Sequence, residues 1–174
     1  MDPRFPSLII SRSAKELALG RFRVEVNFSL SLADMIKRGR YGAVNPKITD
    51  RHFPHPLDEK ENKRVDSYSA LCQLVHINHE VSLRRAMSQL ARPGARLSNI
   101  WELLAFGIRY PEEQEKFPIV AAGSIFTKKY CGLNNAVPSL WVSHAYGRSL
   151  GLGGSSEECR FGASCRFLVT LDSA

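Results

Sequence analysis

Long apolar runs are missing from this 174-residue sequence. A helix that crosses a membrane needs about 20 successive apolar residues, and a signal-peptide core needs roughly 7 to 15. The apolar block nearest the start, Leu8-Ile9-Ile10, is too short for either. Apolar residues make up 44% and charged residues 24% of the chain, as is ordinary for a globular protein. We therefore expect a cytoplasmic protein.

Cysteine is also scarce, with four residues at Cys72, Cys131, Cys159 and Cys165. Four cysteines permit three disulfide pairings, but reduced thiols are expected in the cytoplasm. Cys159 and Cys165 are too far apart to be the closely spaced pair of a zinc ribbon or redox motif. A zinc site that adds His144 to the last three cysteines remains an alternative. The expectation is that no metal is bound.

Recognised catalytic motifs are absent. Ser124 follows a glycine but lacks the second glycine and the following helix of a GxSxG nucleophile. The glycine-rich stretch 151–156 precedes neither a helix nor a lysine, so it cannot hold phosphate as a P-loop does. The five histidines show no HExxH spacing. These absences favour a protein that is not an enzyme, with no catalytic residues and no cofactor.

Positive charge is concentrated near the start of the chain. The net charge is +7, and residues 1–51 carry ten Lys/Arg against five Asp/Glu. A basic surface can bind nucleic acid or another polyanion, although exposed basic residues are more commonly just solvated. Association with nucleic acid through this basic N-terminal third is therefore the alternative hypothesis for function.

The residue pattern divides the chain into an arm and one domain. Residues 1–21 show little periodicity and are predicted to be an N-terminal arm. Residues 22–174 are predicted to form a single domain of ordinary size. Within this domain, residues 22–30 alternate apolar and polar side chains, the pattern of a strand with one buried face.

Three helices are predicted from their N-caps. The capping residues are Ser31, Ser82 and Asn99. In the first helix Asp34 occupies the capping-box position, and Gly39 is the expected left-handed end. The other two are expected at 83–92 and 100–109, with Pro111 interrupting the pattern.

The remaining apolar segments predict strands. They are 65–77, 117–126, 137–142, 148–152 and 165–171. We expect the last strands to form an antiparallel meander. The order of elements predicts an α+β fold in which the two consecutive helices pack on a mainly antiparallel sheet.

Two resemblances rest on particular segments. Residues 32–49 (LADMIKRGRYGAVNPKIT), 101–124 (WELLAFGIRYPEEQEKFPIVAAGS) and 166–171 (RFLVTL) resemble an uncharacterised bacterial protein family of the kind found in candidate-phylum genomes. Residues 81–90 (VSLRRAMSQL) and 95–107 (ARLSNIWELLAFG), followed by a strand ending in Gly-Ser and a closing CRFLVTL, resemble C-type-lectin-like domains of the formylglycine-generating-enzyme kind.

The second resemblance implies a scaffold and a place for binding. Such domains use a twisted core sheet as scaffold and loops as the binding surface, and here the strand at 165–171 would lie beside the one that ends near Ile77. Residues 96–99 correspond to the family's Arg-Leu-Pro-Thr turn, with Ser and Asn in place of Pro and Thr. The Gly-Asn-Val-Trp-Glu-Trp signature of the oxidase members is missing. The resemblance therefore implies the fold and not the oxidase activity.

Candidate binding residues cluster in the C-terminal loops, 127–164. Loops held by a scaffold commonly carry binding, and this region is rich in aromatic, glycine and basic residues. The candidates are Trp141, His144, Tyr146, Arg148, Lys128, Lys129 and Arg160. We expect the first four to converge on one exposed patch. The leading hypothesis is a non-enzymatic cytoplasmic binding module that presents these loops to a protein partner, and ordinary hairpin turns without a ligand are the alternative.

Overall fold

A computed structural model describes residues 20–55, 67–126, 135–154 and 160–172. The elements in these residues are β1 (Arg21–Asn27), α1 (Leu32–Gly39), β2 (Ala43–Val44), β3 (Ser67–His76), β4 (Val81–Ser82), α2 (Leu83–Leu90), β5 (Ala95–Leu97), α3 (Ile100–Arg109), α4 (Pro111–Lys116), β6 (Ile119–Val120), β7 (Val137–Ser143), β8 (Gly147–Gly153), β9 (Arg160–Phe161) and β10 (Arg166–Leu171). None of the described helices is long and apolar enough to span a membrane. The predicted α+β class is confirmed.

Most strands join one mainly antiparallel sheet. The order is β1-β3-β10-β6-β7-β8-β2, with β5 also paired to β10, while β4 and β9 form a separate pair. On one side β10 is antiparallel to β3. On the other side its first residues pair parallel with β6 and its last residues pair antiparallel with β5. The pairing of β10 with β3 is the one that the C-type-lectin-like resemblance requires, and the resemblance itself stays a prediction.

The C-terminal strands do not form one continuous meander as predicted. β6, β7 and β8 are antiparallel neighbours. β10 is not next to β8 but lies between β3 and β6, and β9 pairs with β4 outside the main sheet. The reason is visible in β10, where Phe167, Leu168 and Val169 are all buried. A strand with apolar residues on both faces needs a central position covered on both sides.

The two consecutive helices cover opposite faces of the sheet. Leu168 of β10 belongs to a core that includes Leu104 and Phe106 of α3. Its neighbour Phe167 belongs to a second core that includes Ala86 of α2. Because successive side chains of a strand alternate between faces, α3 and α2 lie on opposite sides. The predicted packing of both helices on the sheet is thus confirmed, with one helix per face.

The predicted N-caps are all confirmed. The side chains of Ser31, Ser82 and Asn99 each accept a hydrogen bond from the backbone N–H three residues later. In turn, the Asp34 carboxylate accepts the Ser31 N–H and the Glu102 carboxylate accepts the Asn99 N–H. α1 and α3 therefore each begin with a complete capping box. Local chemistry therefore fixes where α1, α2 and α3 begin.

The predicted left-handed end of α1 is wrong by one residue. Arg40 has a φ of 51°, and Gly39 is the last helical residue. Gly39 has a different role, because a Cβ there would collide with the ring of Tyr41. Close packing of this ring, and not backbone conformation, requires the glycine.

The third helix spans 100–109 as predicted, whereas the helix directly after it and the short length of β6 were not predicted. Pro111 begins α4 directly after α3, since the first turn of a helix tolerates proline. The strand expected at 117–126 is limited to β6. After β6 the backbone turns toward the start of α3, where Gly123 N–H donates to the Ser98 carbonyl at 2.9 Å. A Cβ on Gly123 would approach the Leu97 and Ser98 carbonyl oxygens too closely, so this contact requires glycine.

Candidate functional site

β7 and β8 form a hairpin whose end we call the hairpin tip, residues 141–147. The two strands pair without interruption as far as Ser143 opposite Gly147. In the turn, Ser143 Oγ accepts the backbone N–H groups of Ala145 and Tyr146 at 3.2 and 3.4 Å. Gly147, the first residue after the turn, has a φ of 67°, a left-handed conformation that glycine adopts without strain.

The hairpin tip carries three exposed large apolar side chains. Trp141 is 42% exposed, Val142 is 45% exposed and Tyr146 is 65% exposed. His144 is exposed beside them. Only one other large apolar side chain, Ile125, is exposed elsewhere in the described residues. Grouped exposed apolar side chains mark interaction sites more often than single ones do.

The side chain of Trp141 lies across the neighbouring strand. A Cβ on Gly151 would lie 2.9 Å from the indole Nε1, so the ring crosses β8 at a position without a side chain. Ser149, directly opposite Trp141, is 1% exposed. The indole is therefore supported by the sheet while its outer part stays in solvent.

Arg148 is not part of the exposed surface at the tip. Its Nη1 donates to the Gly39 carbonyl at 2.8 Å, its Nη2 to the Gly107 carbonyl at 2.6 Å, and its Nε to Gln114 Oε1 at 3.2 Å. The guanidinium also lies over the Tyr41 ring, 5.1 Å from the centroid. The expectation that the four central candidates share one exposed patch is therefore wrong for Arg148. Its donors instead satisfy the carbonyl ends of two helices.

The other predicted residues lie away from the tip or outside the described residues. Arg160 is exposed in β9, with its Nε 3.4 Å from Glu80 Oε1. The next residue, Phe161, packs against Gly154 at the opposite end of the hairpin. The structure thus brings Trp141, His144 and Tyr146 together and leaves Arg160 apart. Lys128 and Lys129 lie outside the described residues.

Histidine and cysteine side chains are used within the fold. His52 Nδ1 and His76 Nε2 lie 2.8 and 2.7 Å from backbone carbonyl oxygens. Cys72 and Cys165 are buried free thiols, and the other two cysteines lie outside the described residues. Over residues 20–55, 67–126, 135–154 and 160–172, no three metal-binding side chains come together.

A buried polar network at the start of α3 was not predicted. The Glu102 carboxylate is fully buried and receives Arg96 Nη1 at 2.9 Å and Nη2 at 2.5 Å. Glu102 also accepts the Asn99 N–H at 2.9 Å. Next to it, Ser98 and Thr170 share a hydroxyl hydrogen bond of 2.8 Å. The helix predicted at 100–109 includes Glu102, but its pairing with Arg96 depends on how β5 is placed, which the sequence pattern does not show.

This network has the chemistry of a structural support and not of a reaction site. Both carboxylate oxygens of Glu102 are occupied within the fold, by the Arg96 guanidinium and by the Asn99 N–H. Burial raises the pKa of Cys72 to about 12, which leaves almost no thiolate at neutral pH. The hairpin tip therefore remains the better candidate site.

No protein-family model matches the chain, and neither the curated proteins nor the solved structures give a significant match.

Proposed function

We propose that this chain is a non-catalytic binding module that presents its β7–β8 hairpin to a protein partner in the cytoplasm. The observation that carries the proposal is the grouping of exposed Trp141, Val142 and Tyr146 at one hairpin tip. Indole and phenol groups dominate many protein interfaces because they desolvate a large area at modest entropic cost. His144 adds an imidazole that can donate or accept a hydrogen bond beside them.

The rigid base of the hairpin supports this proposal. Gln114 Nε2 donates to the carbonyls of Trp141 and Ser149, which ties α4 to both strands just below the tip. Arg148 ties β8 to α1 and α3. A surface that is already ordered loses less conformational entropy on binding, which favours affinity.

The test compares wild-type protein with the double variant Trp141→Ala/Tyr146→Ala. In affinity capture from the native host, we expect wild type to retain a protein that the double variant loses. For a pair of interface hot spots the loss is about 2 kcal/mol or more, or about 30-fold in Kd. Arg160→Ala is the matched control, since Arg160 is exposed at the other end of the hairpin, and it should capture the partner as wild type does.

A mobility-shift assay with nucleic acid separates this proposal from the alternative. Binding of phosphates through the basic N-terminal third would weaken steeply between about 50 and 200 mM salt, because counterions are released. An interface anchored by aromatic residues changes less over the same range. Equal capture by wild type and double variant, together with a salt-sensitive shift, would reject the hairpin as the binding site.

A further inference from the structure

The hairpin tip exposes apolar side chains on both of its faces. Val142 is on the same face as Leu140, which is buried in the core beside α3. Trp141 is on the opposite face, over Gly151. Each is more than two fifths exposed, and Tyr146 in the adjoining turn is 65% exposed. A flat partner can contact only one face of such a two-stranded projection.

Basic residues precede β2, the strand that pairs with the edge of β8 beside the tip. Gly42 packs closely against the carbonyl of Tyr146, and its N–H donates to the Arg148 carbonyl at 2.8 Å. Arg40 is two residues earlier, so its Cα is within about 7.6 Å of Gly42. The exposed basic residues at this end of α1 are Lys37, Arg38 and Arg40.

Acidic side chains are also present near the tip, on α4. Glu113 is bound to Lys116 at 2.9 Å. Glu112 and Glu115 are exposed on the same short helix. The surroundings of the tip are thus basic at the end of α1 and acidic on α4. With a net charge of +7 on the whole chain, a second copy of the chain would also be repelled over distance.

We infer that the partner is a protein with a cleft that receives the hairpin tip, contacts Trp141 and Val142 at once, and carries acidic side chains where its rim meets the end of α1. The inference rests on the proposed function and adds the shape and charge of the partner. A cleft desolvates both apolar faces together, which a flat surface cannot do. Opposite charge at the rim speeds association and fixes orientation.

Site-specific photocross-linking tests the cleft. A benzophenone amino acid is placed at position 141, 142 or 146 in separate variants, and at Asn78 as control. Asn78 is exposed in the turn before β4, and β4 pairs with β9 at the far end of the hairpin. After irradiation in cells of the native host, we expect one nuclease-resistant adduct of the same size from all three tip positions and none from position 78. Peptide mapping should place the 141 and 142 adducts on two different walls of that protein.

Neutralising the basic end of α1 tests the rim. The triple variant Lys37→Gln/Arg38→Gln/Arg40→Gln keeps exposed polar side chains and should lower the yield of adduct about fivefold, through slower association. Unchanged yield would overturn the acidic rim. Adducts from position 141 alone or 142 alone would overturn the cleft and leave the proposed function standing, whereas no adduct from any tip position would overturn both. A nuclease-sensitive adduct would reject a protein partner in favour of nucleic acid.

Discussion

Arg148 lies where the carbonyl ends of α1 and α3 approach β8. Helix C-termini leave carbonyl groups without partners inside the helix, and here a single planar guanidinium supplies donors to Gly39 and Gly107 at once. An amide donor or a lysine ammonium lacks this fork of fixed N–H groups. Arg148 is therefore a structural cross-link between two helices and the hairpin that presents the candidate site.

Replacing Arg148 should destabilise the fold and not only the tip. We expect Arg148→Ala to lower the free energy of unfolding by about 3 kcal/mol, since three hydrogen bonds are lost and helix carbonyls lose their donors. Arg148→Lys should recover only part of this, because an ammonium cannot reproduce the fork. Urea unfolding monitored by circular dichroism measures both.

Arg160→Ala is the matched control for this prediction. Its ion pair with Glu80 is exposed on both sides, and exposed pairs contribute between about 0 and 1 kcal/mol. If Arg148→Ala and Arg160→Ala shifted the urea midpoint equally, the cross-linking role of Arg148 would be wrong.

At the scale of elements, the start of α3 is tied to β5 by an ion pair between the fully buried Glu102 carboxylate and the half-exposed Arg96 guanidinium. The Glu102 carboxylate serves as helix cap and as partner of Arg96 at the same time. Removing Arg96 would leave the buried Glu102 carboxylate without charge compensation, whereas Arg96, 48% exposed, can be solvated when Glu102 is removed. Side chains of α3 also belong to the core on one face of the sheet, so a displaced start of α3 would disturb the packing of that face.

A double-mutant cycle tests this coupling. Glu102→Ala should destabilise the fold by about 2 kcal/mol, through loss of the helix cap and of the charged hydrogen bonds to Arg96. Because the two side chains act as a unit, Glu102→Ala/Arg96→Ala should cost clearly less than the sum of the single variants. The exposed capping box of α1 is the comparison, and Asp34→Ala should have a much smaller effect than Glu102→Ala. Additive single and double variants would show that the pair is not coupled.

At the scale of the whole molecule, two buried side chains that titrate at alkaline pH make stability fall as the pH rises. Burial raises the pKa of Cys72 from its ordinary value of 9.0 to about 12. Burial also raises the pKa of Tyr41 well above its ordinary value of 10.0. Both groups keep their protons in the folded state at pH values where the unfolded chain has released them. The folded state is therefore unaffected by these groups below about pH 9 and is progressively disfavoured above it.

We expect the free energy of unfolding to fall as pH rises from 9 toward 12, in the range set by Cys72. Each fully shifted group contributes up to about 1.4 kcal/mol per pH unit. Urea unfolding at intervals from pH 7 to the alkaline limit of the folded state measures the slope.

Tyr41→Phe is the matched variant for this slope. The Tyr41 hydroxyl is buried without a hydrogen-bond partner among the described residues, so its removal should not lower stability at pH 7. Above pH 10, the free energy of unfolding of Tyr41→Phe should fall less steeply with pH than that of wild type, because one buried titratable group has been removed. An identical slope in both proteins would show that Tyr41 does not titrate with unfolding.

Local chemistry made much of the fold predictable. N-caps at Ser31, Ser82 and Asn99 are short-range signals, because each side chain bonds a backbone group three residues away. Alternation from Phe22 onward predicted β1 for the same reason, since the pleat depends on adjacent residues only. The sequence also predicted that Trp141, His144 and Tyr146 share an exposed patch, and the structure exposes all three at the hairpin tip.

The sequence by itself therefore determined the α+β class, the starts of three helices, the β7–β8 hairpin and the aromatic content of its tip. Only the tertiary structure decided that β10 lies between β3 and β6, that α2 and α3 cover opposite faces, and that Arg148 bonds helix ends instead of facing solvent. The partners of Arg148 at Gly39 and Gly107 are separated from it by 109 and 41 residues. Contacts over such separations depend on how elements pack against one another, and neither periodicity nor capping within one segment encodes that packing.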